Sequence, residues 1–143
     1  MLLDLDGVVY RGDQAIPGAP EALERVRRLG IRMLFLTNNS ARTPEQVAAK
    51  LEGIGVRAAP DEVLTSALAT AHALGRELAG LDRGSPTAFV IGERGIREAL
   101  SGVGIELLDG EPDAVDAVVI GWDRSVDYAK LRTAALLVQG GAR

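Results

Sequence analysis

The 143-residue chain contains no cysteine, so disulfides and thiolate-bound metal sites are excluded. It contains one histidine, His72, in an alanine-rich stretch. With no second imidazole or thiolate to join it, His72 reads as a packed or surface residue rather than a metal ligand. Aromatic residues make up only 3% against 47% hydrophobic residues overall, so the core must be aliphatic. No apolar run approaches the roughly 20 residues that cross a bilayer, and no membrane partner is expected. Only three residues precede Asp4, so no signal peptide is expected before it. The expectation is a soluble cytoplasmic protein. The net charge is −4 and there is no basic block. The arginines between residues 25 and 57 are dispersed along helix faces, which argues against nucleic acid as a partner.

What the chain does have is Leu2-Leu3-Asp4-Leu5-Asp6-Gly7-Val8-Val9-Tyr10. An apolar run ends in two aspartates spaced two apart, and a glycine then releases the backbone. If Leu2 to Leu5 is a buried parallel strand, Asp4 and Asp6 stand at its carboxyl end, where open α/β sheets bind ligands. Two neighbouring carboxylates repel and need a cation, and their hard oxygens suit Mg²⁺. With a metal bound, one carboxylate can attack phosphorus. The plain alternative is a solvated loop that happens to carry two acids.

The rest of the chain alternates strand and helix signals. Gly7 to Gly18 reads as a loop or small hairpin flap turning at Gly12-Asp13. Ala19-Pro20-Glu21 opens a helix with Leu23, Val26 and Leu29 on its apolar stripe, Arg25, Arg27 and Arg28 more exposed, and Gly30 at its end. Ile31 to Leu36 is a second strand. Thr43-Pro44-Glu45-Gln46 is a capping box opening a helix with Val47, Leu51 and Ile54 at helical spacing. Val63 to Thr65 is a third strand, and Ser66 caps a helix over residues 67–78. A polar Gly/Pro turn at residues 80–87 marks a boundary. Strands follow at 88–91, weakly at 105–108, and at 117–120, with a turn and helix over 92–100 and an amphipathic helix over 126–138. Ile91-Gly92-Glu93-Arg94-Gly95 offers only part of a dinucleotide-binding fingerprint and reads as a tight turn.

Thr37-Asn38-Asn39 follows the second strand. A phosphoryl group needs donors aimed at its oxygens, and a hydroxyl, an amide side chain and free backbone N–H groups supply them without adding charge. One crossover separates Thr37 from the aspartates, so the two strands should lie side by side. By itself the same sequence is also compatible with a turn that uses Thr and Asn for local hydrogen bonds.

Asp4-Leu5-Asp6-Gly7 resembles the first motif of the haloacid dehalogenase (HAD) superfamily, and Asp4 through Gly12 is similar to its NagD-like, p-nitrophenyl-phosphatase-type subfamily. The resemblance implies an α/β fold: a HAD-like, doubly wound parallel sheet of partial Rossmann-like character, with the first part of an inserted α/β cap of the C2 type. It implies that residues 1–79 form the first half of the core and residues 80–143 part of the cap. It assigns Asp4 as nucleophile and Mg²⁺ ligand, and Asp6 as general acid/base with a second contact to the metal. Gly7 lets the backbone approach phosphate, Thr37 and Asn38 contact it, and Asn39 supports the loop as part of the phosphate-binding group. The implied partner is a small phosphate ester, and self-association through the cap is compatible with the family.

The family pattern also calls for a lysine after a later strand and a late acidic metal ligand. The two lysines, Lys50 and Lys130, both sit within helices by this reading. Gly121-Trp122-Asp123, with Asp127 beyond, imitates the late acidic motif, but Trp122 interrupts it. Residues 127–131 are similar instead to a cap segment in which Asp127 or Ser125 caps a helix. The chain is therefore expected to be a fragment of a Mg²⁺-dependent phosphomonoesterase that works through an aspartyl-phosphate. A phosphotransferase or dehalogenase using Asp4, and a non-catalytic metal- or phosphate-binding module, are the competing readings.

Overall fold

In the computed structural model, which describes residues 1–80 and 84–143, the residues divide by contact into two compact units. The first comprises Met1–Asn38 and Pro44–Thr65, the second Asn39–Thr43 and Ser66–Arg143. The centre of the polar turn expected at residues 80–87 lies outside the described residues.

In the first unit, strands β1 (Leu2–Asp4), β4 (Leu34–Thr37) and β5 (Val63–Thr65) form a parallel sheet in that order. The strands are short and aliphatic, and successive side chains alternate between faces. Leu3, Phe35 and Val63 share the face packed into the core, where Leu23 of helix α1 (Ala19–Arg28) and Val47, Ala48 and Leu51 of helix α2 (Pro44–Gly53) join them. Between β1 and α1, β2 (Tyr10–Arg11) and β3 (Gln14–Ala15) pair antiparallel as the small flap read from Gly12-Asp13.

The structure departs from three local expectations. Leu29 does not join the apolar stripe of α1 but is 74% exposed, because the helix ends at Arg28 and Leu29 already belongs to the turn into Gly30. The second strand starts at Leu34 rather than Ile31, and of the residues before it only Met33 is buried. Arg27 is not an exposed helix-face arginine. Its guanidinium donates to both Glu62 carboxylate oxygens at 2.8 and 2.9 Å and to the Arg57 carbonyl. That fork holds the Glu62 carboxyl below its ordinary value. It ties α1 to the 3-10 turn Pro60–Glu62 that leads into β5.

In the second unit, β6 (Thr87–Ile91) is the central strand of a parallel sheet, with β7 (Glu106–Leu107) on one side and β8 (Ala117–Ile120) on the other. Both faces are covered, which is why Ala88 to Ile91 reads as one continuous apolar run. Ala88 and Val90 pack with helices α3 (Ser66–Leu78) and α4 (Arg94–Gly102). Phe89 and Ile91 pack with Ala134 and Leu137 of helix α5 (Tyr128–Gln139). By contact α3 groups with this second unit, whereas the sequence reading counts it with the first. Helix α5 begins two residues later than expected, because Asp127 is its cap and accepts the Lys130 N–H at 2.9 Å.

Candidate functional site

The site residues are set by how β1 ends. Parallel pairing places Leu2, Leu3 and Asp4 opposite Leu34, Phe35 and Leu36. Asp4 is the last residue of its strand, and Thr37, one step beyond its partner, is the last of β4. The carboxyl ends of β1 and β4 therefore lie side by side.

Beyond Asp4 the chain coils tightly. The Leu5 carbonyl accepts the N–H groups of Val8, Val9 and Tyr10 at 3.3, 2.9 and 3.2 Å, and the Gly7 N–H donates to the Tyr10 carbonyl at 2.8 Å. Gly7 has φ +83°, a conformation that costs an L side chain strain and that glycine adopts freely. The coil buries Leu5 completely and leaves Asp4 and Asp6 on either side of it exposed. Two carboxylates are thus displayed at the strand tip while the residue between them anchors the turn in the core.

Each acid is held locally. The Leu5 N–H donates to Asp4 Oδ1 at 2.9 Å. The Tyr10 hydroxyl lies 3.4 Å from Asp6 Oδ2 as a long hydrogen bond. Tyr10 is buried, and Lys50 Nζ sits 3.9 Å from the centre of its ring and 3.7 Å from Asp13 Oδ1. The sequence reading gives Lys50 no role beyond its place in a helix. Its ring contact joins residues 40 positions apart, which no local spacing signals.

Across the strand boundary Thr37 is buried and Asn38 exposed. Asn39 turns its carboxamide back on its own chain: Oδ1 accepts the Ala41 and Arg42 N–H groups at 2.8 and 3.2 Å. Asn39 thereby closes the turn that follows the strand.

The donors displayed at the β1 tip are the carboxylates of Asp4 and Asp6. Among the described residues no group of three His, Cys, Asp or Glu side chains comes together. Mg²⁺ is commonly bound by only one or two carboxylates and completes its octahedron with waters and substrate phosphate. The chemistry of this donor set fits that ion.

In the second unit, the acid that imitates a late metal ligand is engaged otherwise. Asp123 has a side chain only 5% exposed. Lys130 Nζ lies 2.8 Å from its Oδ2, and the Ser125 N–H and hydroxyl both donate to its Oδ1 at 2.7 Å. Those bonds hold its carboxyl down from 3.8 to about 2. A cavity of about 490 Å³ opens beside this cluster, lined also by Arg97, Asp109 and Thr133 and by none of the β1 and β4 tip residues. Arg97 is paired with Asp109 there. The Gly92-to-Gly95 turn is closed, since Gly95 packs directly against the carbonyls of Ser40 and Arg42. It is not an open phosphate loop.

Comparison with known proteins gives this arrangement a family. The haloacid dehalogenase-like hydrolase pattern matches residues 1–106. An acid sugar phosphatase of Staphylococcus saprophyticus is 43% identical over 142 residues, covering 99% of this chain and 52% of that protein. Among solved structures, a glycerol phosphate phosphatase of Mycobacterium tuberculosis in complex with magnesium superposes with a TM-score of 0.88 at 35% identity, covering 99% of this chain and 41% of the other. NagD from E. coli K-12 superposes with a TM-score of 0.84 at 32% identity, covering 99% and 53%. The chain spans about half the length of the curated relatives it matches. With parallel α/β sheets, an Asp-x-Asp-Gly turn at the tip of the first strand and this breadth of similarity, the chain belongs to the haloacid dehalogenase-like hydrolases.

Proposed function

We propose that this chain carries the nucleophile and phosphate-binding part of a phosphomonoester hydrolase acting on small phosphorylated metabolites. The observation that carries the reading is the register of β1 and β4, which sets Asp4 and Thr37 at adjacent strand ends. The phosphatases among its relatives support the substrate class.

In this reading the Asp4 carboxylate attacks the phosphorus of the ester and forms an aspartyl-phosphate. The leaving ester oxygen departs with a proton from Asp6. Asp6 then takes a proton from water, the water oxygen attacks the same phosphorus, and inorganic phosphate leaves as the Asp4 carboxylate is regenerated. The Thr37 hydroxyl and the Asn38 amide donate to the phosphoryl oxygens, where charge builds up in the transition state. Gly7 keeps side-chain bulk away from the incoming group. Asp4 and the Asp6 backbone carbonyl would hold Mg²⁺, which when bound neutralises charge on the phosphoryl oxygens. The reading places the protein in the cytoplasm; among the described residues no helix is long and apolar enough to cross a membrane.

A second reading rests on one observation: no third acidic side chain joins Asp4 and Asp6 among the described residues. On that ground the 143 residues alone bind metal and phosphate and turn over little.

A chromogenic phosphomonoester assayed with Mg²⁺ tests both. The chain is compared with Asp4→Asn and with a chimera that continues from Arg143 into the remaining sequence of the Staphylococcus saprophyticus relative. The expected result is low turnover by the chain and robust hydrolysis by the chimera, lost on Asp4→Asn. Hydrolysis by the chimera that survives Asp4→Asn would contradict the assignment of the nucleophile. Robust, Asp4-dependent hydrolysis by the chain alone would contradict the second reading.

A further inference from the structure

The segment Asn39–Thr43 follows Thr37 and Asn38 without a break, yet it groups by contact with the second unit. What fastens it there is specific. The Trp122 N–H donates to Ser40 Oγ at 2.9 Å, and the Gly95 N–H donates to the Ala41 carbonyl at 2.9 Å. Two glycines make room for it. A Cβ on Gly95 would stand 2.5 Å from the Arg42 carbonyl oxygen and 2.6 Å from that of Ser40. A Cβ on Gly121 would stand 2.7 Å from Ser40 Oγ and 3.3 Å from its Cβ. Ala41 and Thr43 are buried, and the Asn39 carboxamide stiffens the turn from within. An ordinary loop would need neither two bare α-carbons facing it nor a hydroxyl seated against one of them.

We propose that Ser40, seated in the socket made by Gly95 and Gly121, is a positioning residue that fixes the phosphate-binding turn Thr37–Asn38 through this strap. The inference rests on Thr37 and Asn38 holding the phosphoryl group, as proposed above. The physical effect is pre-organisation. A turn tethered at its next residue has less freedom to lose when an anion binds, and ordering a loose one on binding weakens affinity. Ser40 touches no substrate in this scheme; it acts by holding the backbone that does.

The test uses the whole 143-residue chain with two measurements on each variant. Trypsin cleavage after Arg42 reads release of the strap. Titration with inorganic phosphate in the presence of Mg²⁺, followed at the amide resonances of Thr37 and Asn38, reads the binding turn. Ser40→Ala is expected to speed the Arg42 cut and to weaken phosphate by about three- to tenfold, the range that loss of pre-ordering in one short segment supports. Gly121→Ala is expected to act the same way by pushing Ser40 out of its seat, and to have a smaller effect when Ser40 is already alanine, because the overlapping Oγ is gone. A faster cut with unchanged phosphate affinity would overturn the positioning role and leave the strap purely structural. An unchanged cut in both single variants would overturn the catch itself. If the wild-type chain shows no phosphate response at Thr37 or Asn38, the reading of those two residues fails, and the positioning role falls with it. The cleavage data separate that case from a failure of the catch.

Discussion

Leu5 decides how the two acids are presented. Buried completely and accepting three backbone N–H groups through its carbonyl, it fixes a coil that leaves Asp4 and Asp6 facing solvent. The pattern Asp-Leu-Asp-Gly is legible in the sequence because all of its logic is local: an apolar anchor between two acids and a glycine where φ is positive. The Tyr10–Lys50 contact was not legible, since only tertiary folding of α2 brings that ammonium over the ring. Asp123 shows the same division. Its neighbour Ser125 is local, but the bond that most lowers its pKa comes from Lys130, in the first turn of α5. A carboxyl held at about 2 against an ordinary 3.8 stabilises the fold at pH values above the ordinary one. That stabilisation is lost as pH falls through the folded value. Asp123→Asn is therefore expected to destabilise the chain near neutral pH by about 1–3 kcal/mol, as lost charge-assisted hydrogen bonds do, and the difference from wild type should shrink between about pH 4 and pH 2. Urea unfolding across that range measures it; a difference independent of pH would show that the ion pair does not contribute.

At the scale of elements, the helices that cover the first sheet were predictable from periodicity, and their exceptions have physical causes. Val47 and Leu51 recur at helical spacing after Thr43-Pro44, and both are buried in α2 as that spacing requires. Leu51 is fully buried against the first core, so Leu51→Ala is expected to cost about 2–5 kcal/mol through lost burial and a residual cavity. A shift of the urea midpoint at unchanged slope would register this. A cost within experimental error would mean that the core around α2 re-packs freely. The burial of Arg27 is not legible in the sequence because its partner Glu62 lies 35 residues away, and a helical wheel sees only its own turn. Ile31 reads as strand because it is apolar and follows a helix-ending glycine, yet the strand begins only at Leu34. The β6 and β8 strands are legible because each is an unbroken apolar run, and at β6 both faces of the sheet are covered.

At the scale of the whole molecule, the chain joins two parallel-sheet units whose division does not follow the sequence in one cut. The strap Asn39–Thr43 and helix α3 both group with the second unit. Sequence signals such as Gly/Pro turns mark where the backbone bends, not which core a helix joins, so this grouping was beyond their reach. The family, by contrast, was carried by a few residues at two strand ends, and the similarity over nearly the whole chain agrees with them. The proposed phosphoryl transfer to Asp4 depends on the tips of β1 and β4 forming one pocket for a divalent metal and a phosphoryl group. The most direct measurement is a titration of the chain with Mg²⁺ and inorganic phosphate, followed by amide resonances and repeated on Asp4→Asn. Joint shifts are expected at Asp4 to Gly7 and at Thr37 and Asn38 that require Mg²⁺ and disappear in the variant. Shifts confined to one strand end, or the same shifts in Asp4→Asn, would contradict the proposal.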